Sequence, residues 1–340
     1  MAALPEYRSA EPAPLVDLRE VHASYLDLLL MEENTEWLGN LDWDFEPSAN
    51  LVRRFLGMRG LTGFALTGPR HFRSTSAPPP PVGYAYYVAD EGKGLVGGLY
   101  VAPAYRTREN EDRLMRAVLD ALWQTPGLYR VEAQLMLLAD PFDRAVPYAS
   151  RFHSHARQFL EIPVTQIVTL HPKDPSVVVV MPWTENRRGE AARLISESYR
   201  GHIDSQINDQ YQSAGGARRF LTNIVEYPGC GAFFPQGSFV ALDGNDRKNT
   251  GGGHALAGMS LASIVAPGSG HITQVCVSPQ YRGTGLGYEL LRRSMVSLAA
   301  HGCHKVSLTV TTANVEAASL YHRMGFIKRR DFAAYVWELR

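Results

Sequence analysis

The 340-residue chain has little cysteine, no excess charge and no long apolar run. Its three cysteines, Cys230, Cys276 and Cys303, are odd in number and unclustered. Such a set suits a reducing compartment and offers no zinc-ligand spacing, so no metal is expected. Lys and Arg together number 34, as do Asp and Glu. No general basic field exists to draw in nucleic acid or an anionic membrane, although a local patch is not excluded. Apolar runs such as SVVVVMPW (176–183) are far too short to span a bilayer. The opening MAALPEYRSAEPAPL lacks the basic and apolar regions of a secretory signal. These absences lead to the expectation of a soluble cytoplasmic protein with no nucleic-acid or membrane partner. What is present is 45% hydrophobic residues and length for two ordinary domains.

Proline and glycine punctuate the chain. SAPPPPVG (76–83) and DGNDRKNTGGGH (243–254) read as surface loops, and LHPKDPS (170–176) as a domain boundary. The expected domains are 1–171 and 176–340. They share an internal repeat: LYVAPAYR (99–106) matches VCVSPQYR (275–282) at an offset of 176 residues. In each copy a Gly-containing strand precedes this stretch, and an amphipathic helix and a second strand follow it. The second copy reads as strands at 177–181, 238–242, 256–265, 271–277, 305–311 and 331–339. Helices are expected at 184–198, 286–300 and 314–323, with an irregular or helical stretch at 200–226. KVSLTVT (305–311) alternates Val306, Leu308 and Val310 against Ser307, Thr309 and Thr311.

The strand-to-helix turn YRGTGLG (281–287) has glycine at alternate positions. A P-loop would need Gly-Lys followed by Ser or Thr, and here Gly287 precedes Tyr288 and Glu289. A dinucleotide fingerprint would need glycine where Tyr288 stands. R-x-x-G-x-G, filled by Arg282, Gly285 and Gly287, remains. It provides a strand end, a stretch free of side chains and a helix start, which together make an anion site of backbone N–H groups and helix dipole. One strand later NVEAASLYHRMGF (314–326) fits N-x-x-A-x-x-L-Y-x-x-x-G-F.

This combination, from about Gly258 to Arg340, resembles the GCN5-related N-acetyltransferase (GNAT) superfamily. The resemblance implies an α/β (α+β) fold of two GNAT-like domains, each a mixed, mostly antiparallel sheet with a splayed central strand pair flanked by helices. It implies acetyl-CoA as co-substrate. Val275, Cys276 and Val277 then lie along the pantetheine arm, and Arg282, Gly283, Thr284, Gly285, Leu286 and Gly287 at the pyrophosphate. Asn314 and Ala317 lie beside the cofactor, and Tyr321 near the thioester sulfur, where it is expected to protonate the departing thiolate. Other readings stand beside these: Asn314 as a helix N-cap, Tyr321 as a half-buried core tyrosine, and Cys276 as a small packing residue.

The first copy reads YRTRENEDRLM, with Glu109 and Glu111 at the positions of Gly285 and Gly287. It also lacks the Asn-to-Phe pattern. It is expected to be a degenerate domain whose anion site is taken by its own side chains, as in tandem GNAT proteins with one active domain.

The expected reaction is direct attack of a primary amine on acetyl-CoA in the C-terminal domain, with a small-molecule acceptor. Alternatives are a hydroxyl or protein-lysine acceptor, and a non-catalytic acyl-CoA-binding regulatory or interaction protein. The acceptor segment 198–233 holds His202, Asp204, Asn208, Asp209, Tyr211 and Glu226. Many relatives carry a strand glutamate about where Thr273 lies, followed here by Gln274, and neither residue is a useful base. The candidates are His202, Asp204, Glu226 and His271, with a water relay ending on His202 or Asp204 preferred. Asn208, Glu226 and Gln274 are the expected acceptor contacts. The oligomeric state is not readable.

Overall fold

The computed structural model describes residues 14–68, 79–174, 178–227, 229–243 and 255–339. Residues 1–13, 76–78, 175–176 and 244–254 of the stretches read above lie outside these. The first copy contains β1 (Leu15–Asp17), α1 (Asp27–Leu41), α2 (Glu46–Gly57), β2 (Thr62–Thr67), β3 (Pro81–Asp90), β4 (Lys93–Val101), α3 (Arg108–Trp123), β5 (Arg130–Gln134) and β6 (Phe152–Pro163). The short helix α4 (Val164–Ile167) follows. The second copy contains β7 (Val178–Pro182), α5 (Arg188–Ser198), α6 (Asp204–Ile207), α7 (Ala214–Glu226), β8 (Ala232–Phe233), β9 (Phe239–Asp243), β10 (Leu256–Ala266), β11 (Ser269–Val277), α8 (Leu286–Ala300), β12 (Lys305–Thr311), α9 (Val315–Met324) and β13 (Ile327–Glu338).

Among the described residues the strands form one sheet in the order β1-β2-β3-β4-β5-β13-β6-β12-β11-β10-β9-β7, with β8 on β10. The neighbours pair antiparallel except at two places. β4 runs parallel to β5 over Lys93–Val96, and β11 parallel to β12 over Ser269–Ile272. In the second copy the paired register ends at Ile272 and Leu308, while β11 continues to Val277 and β12 to Thr311. The two strands splay, and the cleft between them is the site described below.

The last strands of the copies are exchanged. β13 pairs with β5 of the first copy, β6 pairs with β12 of the second, and β6 and β13 pair with each other from Phe152–Trp337 to Glu161–Ile327. Each core is completed by the other copy's strand. Ala333, Tyr335 and Trp337 sit in the first core with Val96, Leu119 and Val131. Leu160 and Ile162 sit in the second core with Met295, Val306 and Leu308. Polar contacts follow the same exchange: the Trp337 indole N–H donates to the Pro147 carbonyl at 2.9 Å.

A loop from each copy also seats on the other. Trp43, between α1 and α2, packs on Phe159, Val265 and Phe332, with its ring edge-on to His271 at 5.0 Å. Lys305 pairs with Asp42 at 2.6 Å. In the opposite direction, Asp209 of the second copy pairs with Lys93 at 2.6 Å and accepts from the Tyr129 hydroxyl at 3.1 Å. Arg130 donates to the Gln206 carbonyl.

Trp337→Ala is expected to destabilise the whole chain by about 3–5 kcal/mol, the range for a large aromatic lost from a core. Because the cores share strands, tryptophan fluorescence and far-ultraviolet circular dichroism should report one coincident transition in urea. Two separated transitions would show that the copies unfold independently.

Candidate functional site

A cleft of about 1120 Å³ opens where β11 and β12 part, lined by β11, the glycine turn, α9 and the C-terminal end of α5. The turn is shaped by backbone angles that L side chains rarely adopt. Gly283 has φ of +77°, and Gly285, the N-cap of α8, has φ of +89°. A helix start with no side chain in front of it presents backbone donors and the positive end of the dipole to the cleft.

Val275, Cys276, Val277, Arg282, Gly283, Thr284, Gly285, Gly287, Asn314, Ala317, Tyr321 and His202 all line this cleft. Leu286 does not. It is buried against Ala257 and Leu290 and holds the helix to the sheet. The Arg282 guanidinium also has a structural task, donating to the Ser198 carbonyl at 2.7 Å, the last residue of α5. A cation on the negative end of a helix locks the turn to α5. Asn314 caps α9, its Oδ1 accepting from the Ala317 amide at 3.2 Å. Burial pushes the Cys276 thiol up to about 12, so it is no nucleophile at neutral pH. Burial, reinforced by the Asp204 charge, pushes the Tyr321 hydroxyl above its ordinary value.

The acceptor segment divides. Asp204 accepts a hydrogen bond from the Thr311 hydroxyl at the end of splayed β12. His202 Nδ1 accepts from the Asp204 amide at 3.1 Å and lies 3.6 Å from the Asp204 carboxylate. Asn208 caps a helical turn, accepting from the Gln210 amide at 3.0 Å. Glu226 lies away from the cleft, in a surface ion pair with Arg188 at 3.0 Å. Gln274 is buried: its Nε2 donates to the Tyr199 hydroxyl at 2.8 Å, and its Oε1 accepts from Tyr211 at 3.3 Å. His271 is buried beside Trp43 with Ser307 Oγ 2.9 Å from Nδ1, and burial pushes its pKa down to about 3. It stays neutral and packs between the copies. Thr273 donates to the Leu261 carbonyl at 3.1 Å.

Tyr199 has no counterpart in the sequence expectations. It stacks on Tyr211 at 4.5 Å, meets the His202 ring edge-on at 5.2 Å, and donates to the Val275 carbonyl at 3.3 Å. Only tertiary contact joins these residues, so no local spacing marks them. Among the described residues no cluster of side chains is arranged to hold a metal ion.

Residues 207–326 match the sequence model described as the acetyltransferase (GNAT) family. The chain is 30% identical over 161 residues to the mycothiol acetyltransferase of Kocuria rhizophila, covering 47% of this chain and 50% of that protein. It is 35% identical over 66 residues to the N-alpha-acetyltransferase MAK3 of Arabidopsis thaliana, covering 19% and 35%. The chain thus spans half or less of the length of these relatives. A GCN5-related N-acetyltransferase structure from Sphaerobacter thermophilus matches with a TM-score of 0.58 at 17% identity, over 96% of each chain. A tandem GNAT protein from the clavulanic acid biosynthesis pathway matches with a TM-score of 0.58 at 15% identity, over 96% of this chain and 98% of that one. At these identities the structural likeness is one of fold.

The corresponding place in the first copy is filled. Thr107 caps α3, which begins two residues earlier than α8 on the alignment of the repeat, so a helical turn takes the space of the glycine turn. Glu109 is exposed, while Glu111 is buried and paired with Arg144. Arg106, the counterpart of Arg282, grips Glu36 with both terminal nitrogens, at 2.9 and 2.8 Å. Beside them Glu33 is buried, accepting from the Tyr84 hydroxyl at 2.6 Å and the Trp37 indole at 3.3 Å.

Burial raises Glu33 from 4.5 to about 7, the two donors only partly opposing it. The folded chain therefore holds this proton more tightly than the unfolded chain. The stabilising contribution is complete below about pH 4.5 and is lost as pH rises towards about 7, a difference of roughly 3 kcal/mol. Glu33→Gln should remove this decline. In urea titrations the variant should match wild type near pH 4.5 and exceed it at pH 8; equal stability at both pH values would show that Glu33 ionises freely.

Proposed function

We propose that this chain, a member of the GNAT acetyltransferase superfamily, moves an acetyl group from acetyl-CoA to a primary amine in its second copy, residues 176–340, the first copy, 1–171, binding no cofactor. The observation that carries this reading is the opening of β11 from β12 in front of the Gly283–Gly285 turn, with Tyr321 in the same cleft. The residues present fit the co-substrate. The turn leaves space and backbone donors for a pyrophosphate, and the diverging edge of β11 over Val275–Val277 suits the amides of a pantetheine arm.

Acetyl-CoA supplies an activated thioester, so an amine attacks the carbonyl directly and the carbon–sulfur bond breaks with no covalent enzyme intermediate. The protein contributes position, hydrogen bonds and a route for one proton. Tyr321 stays protonated at neutral pH and donates a hydrogen bond to the sulfur as negative charge gathers there. Full transfer from a phenol raised above about 10 to a thiolate of pKa about 8.5 is uphill. The leaving thiolate therefore departs hydrogen-bonded, or takes its proton from water.

The attacking ammonium must first lose a proton. In the neutral His202 ring the Asp204 amide occupies the Nδ1 lone pair, which assigns the proton to Nε2. His202 then orients, and the Asp204 carboxylate, held by Thr311 at the end of the splayed strand, is the terminal base through a water.

Gly285→Glu places a charge and a side chain before the helix start in a residue whose φ of +89° disfavours any substituent. Calorimetry should show one acetyl-CoA site per chain in the wild type and none in this variant. Two equivalent sites, or unaltered binding by the variant, would sink the assignment of the turn.

Tyr321→Phe should lower kcat by about 100-fold with little change in cofactor affinity. Asp204→Asn should lower kcat/KM for the amine at neutral pH with little change in acetyl-CoA affinity. Wild-type kcat in the first variant would return Tyr321 to a packing role, and wild-type kcat/KM for the amine in the second would exclude Asp204 as the base.

A further inference from the structure

We propose that Lys173, carried on the segment that joins the two copies, is a phosphate-binding residue of the cofactor cleft, so that linker and glycine turn hold the nucleotide end of the ligand together. The inference rests on the acetyl-CoA reading above and adds a residue outside the repeat motif.

Two contacts pin the linker to the first turns of α8. The Tyr288 hydroxyl donates to the His171 carbonyl at 3.0 Å. The Lys173 amide donates to Glu289 Oε2 at 3.0 Å. Glu289 is fixed in turn: Arg292 donates to both its oxygens at 2.9 Å, and Arg293 to Oε1 at 2.8 Å. Burial favours its neutral form, but the two guanidinium groups prevail and hold the carboxylate at about 2. The anchor is therefore ionised throughout the neutral range, and the backbone of Lys173 has a fixed seat.

From that seat the side chain runs towards the turn. Its ammonium lies 4.7 Å from the centre of the Tyr288 ring. Its Cδ lies 3.4 Å from the point a Cβ on Gly285 would occupy. A cation over a half-buried tyrosine is modestly held, and a phosphate in the turn offers a stronger partner within the reach of one rotamer change.

The charge balance of the cleft calls for such a group. Its lining cations are Lys173, Arg282 and Arg323, and Glu316 stands among them. Arg282 is committed to the Ser198 carbonyl. The turn contributes neutral amides and a helix end worth roughly half a positive charge, against a pyrophosphate and a 3′-phosphate carrying several negative charges. Lys173 is the lining cation whose side chain passes beside Gly285.

The test is calorimetry of the full chain at low and high salt, for wild type, Lys173→Ala and Lys173→Arg, with CoA, 3′-dephospho-CoA and S-acetylpantetheine. Lys173→Ala should weaken CoA about tenfold, as expected for a hydrogen bond to a charged group. It should leave S-acetylpantetheine unchanged and flatten the salt dependence. Lys173→Arg should restore most of the affinity. Loss with CoA and dephospho-CoA alike assigns the contact to the pyrophosphate; loss with CoA alone assigns it to the 3′-phosphate. Unaltered CoA affinity in Lys173→Ala, with the wild type binding normally, overturns this inference alone, as does an equal loss for S-acetylpantetheine. A wild-type chain that binds no CoA overturns the functional reading and this inference with it.

Discussion

The exchange of β6 and β13 is the constraint on which the rest of the structure depends. Ten register pairs join these strands to each other, while their outer edges complete the sheets of opposite copies. Backbone hydrogen bonding in a sheet leaves costly unpaired groups if a neighbour is removed. The first copy therefore cannot be discarded when its cleft is closed. Without it β12, the strand from which β11 splays, loses its partner. Arg157 shows one consequence. It lies on β6 and donates to Thr309 of β12 at 3.1 Å. Its charge partly offsets the rise that burial and Asp204 impose on Tyr321.

The two copies solve one packing problem in opposite ways. Splaying a parallel strand pair leaves a gap that must be filled by side chains or left for a ligand. In the first copy it is filled by Glu33, Glu36, Tyr84, Tyr100 and Arg106, linked by hydrogen bonds. An arginine–carboxylate fork sits there, and α3 begins two residues earlier than α8 on the alignment of the repeat. In the second copy the corresponding arginine turns to the end of α5, and two glycines hold the turn open. The difference lies in a few residues on a shared scaffold, as fold-and-site reasoning requires.

How much of this is legible in the sequence follows from the range of the interactions. The glycine turn, the cap at Asn314 and the apolar stripe of α8 are local, and they lie where the spacing puts them. β10, β11, β12 and α8 agree with expectation to within two residues at each end. β13 begins at Ile327, four residues before the expected start, because Lys-Arg-Arg-Asp reads as a loop until β6 pairs with it. The exchange itself has no local signature, since a strand's sequence does not name its partner. The same holds for Glu226, a polar residue in the right segment that faces Arg188 instead of the cleft. Tyr199 and Lys173 were invisible for the converse reason: an unremarkable helix end and a linker lysine gain meaning only from what they touch.

Under the proposed reaction β11 offers no base, because neither Thr273 nor Gln274 accepts a proton usefully at neutral pH. The Gln274 carboxamide instead ties Tyr199 to Tyr211. Asp204 is held at the end of splayed β12 by Thr311, on a segment tied to the first copy through Asp209–Lys93 and Arg130–Gln206. A base on a loop is placed less firmly than one on a strand, and for the base proposed here the added rigidity would come from the first copy. The closed copy thus acts on the open one twice: through β6 it pairs the strand from which β11 splays, and through Lys93 and Arg130 it holds the segment that carries Asp204.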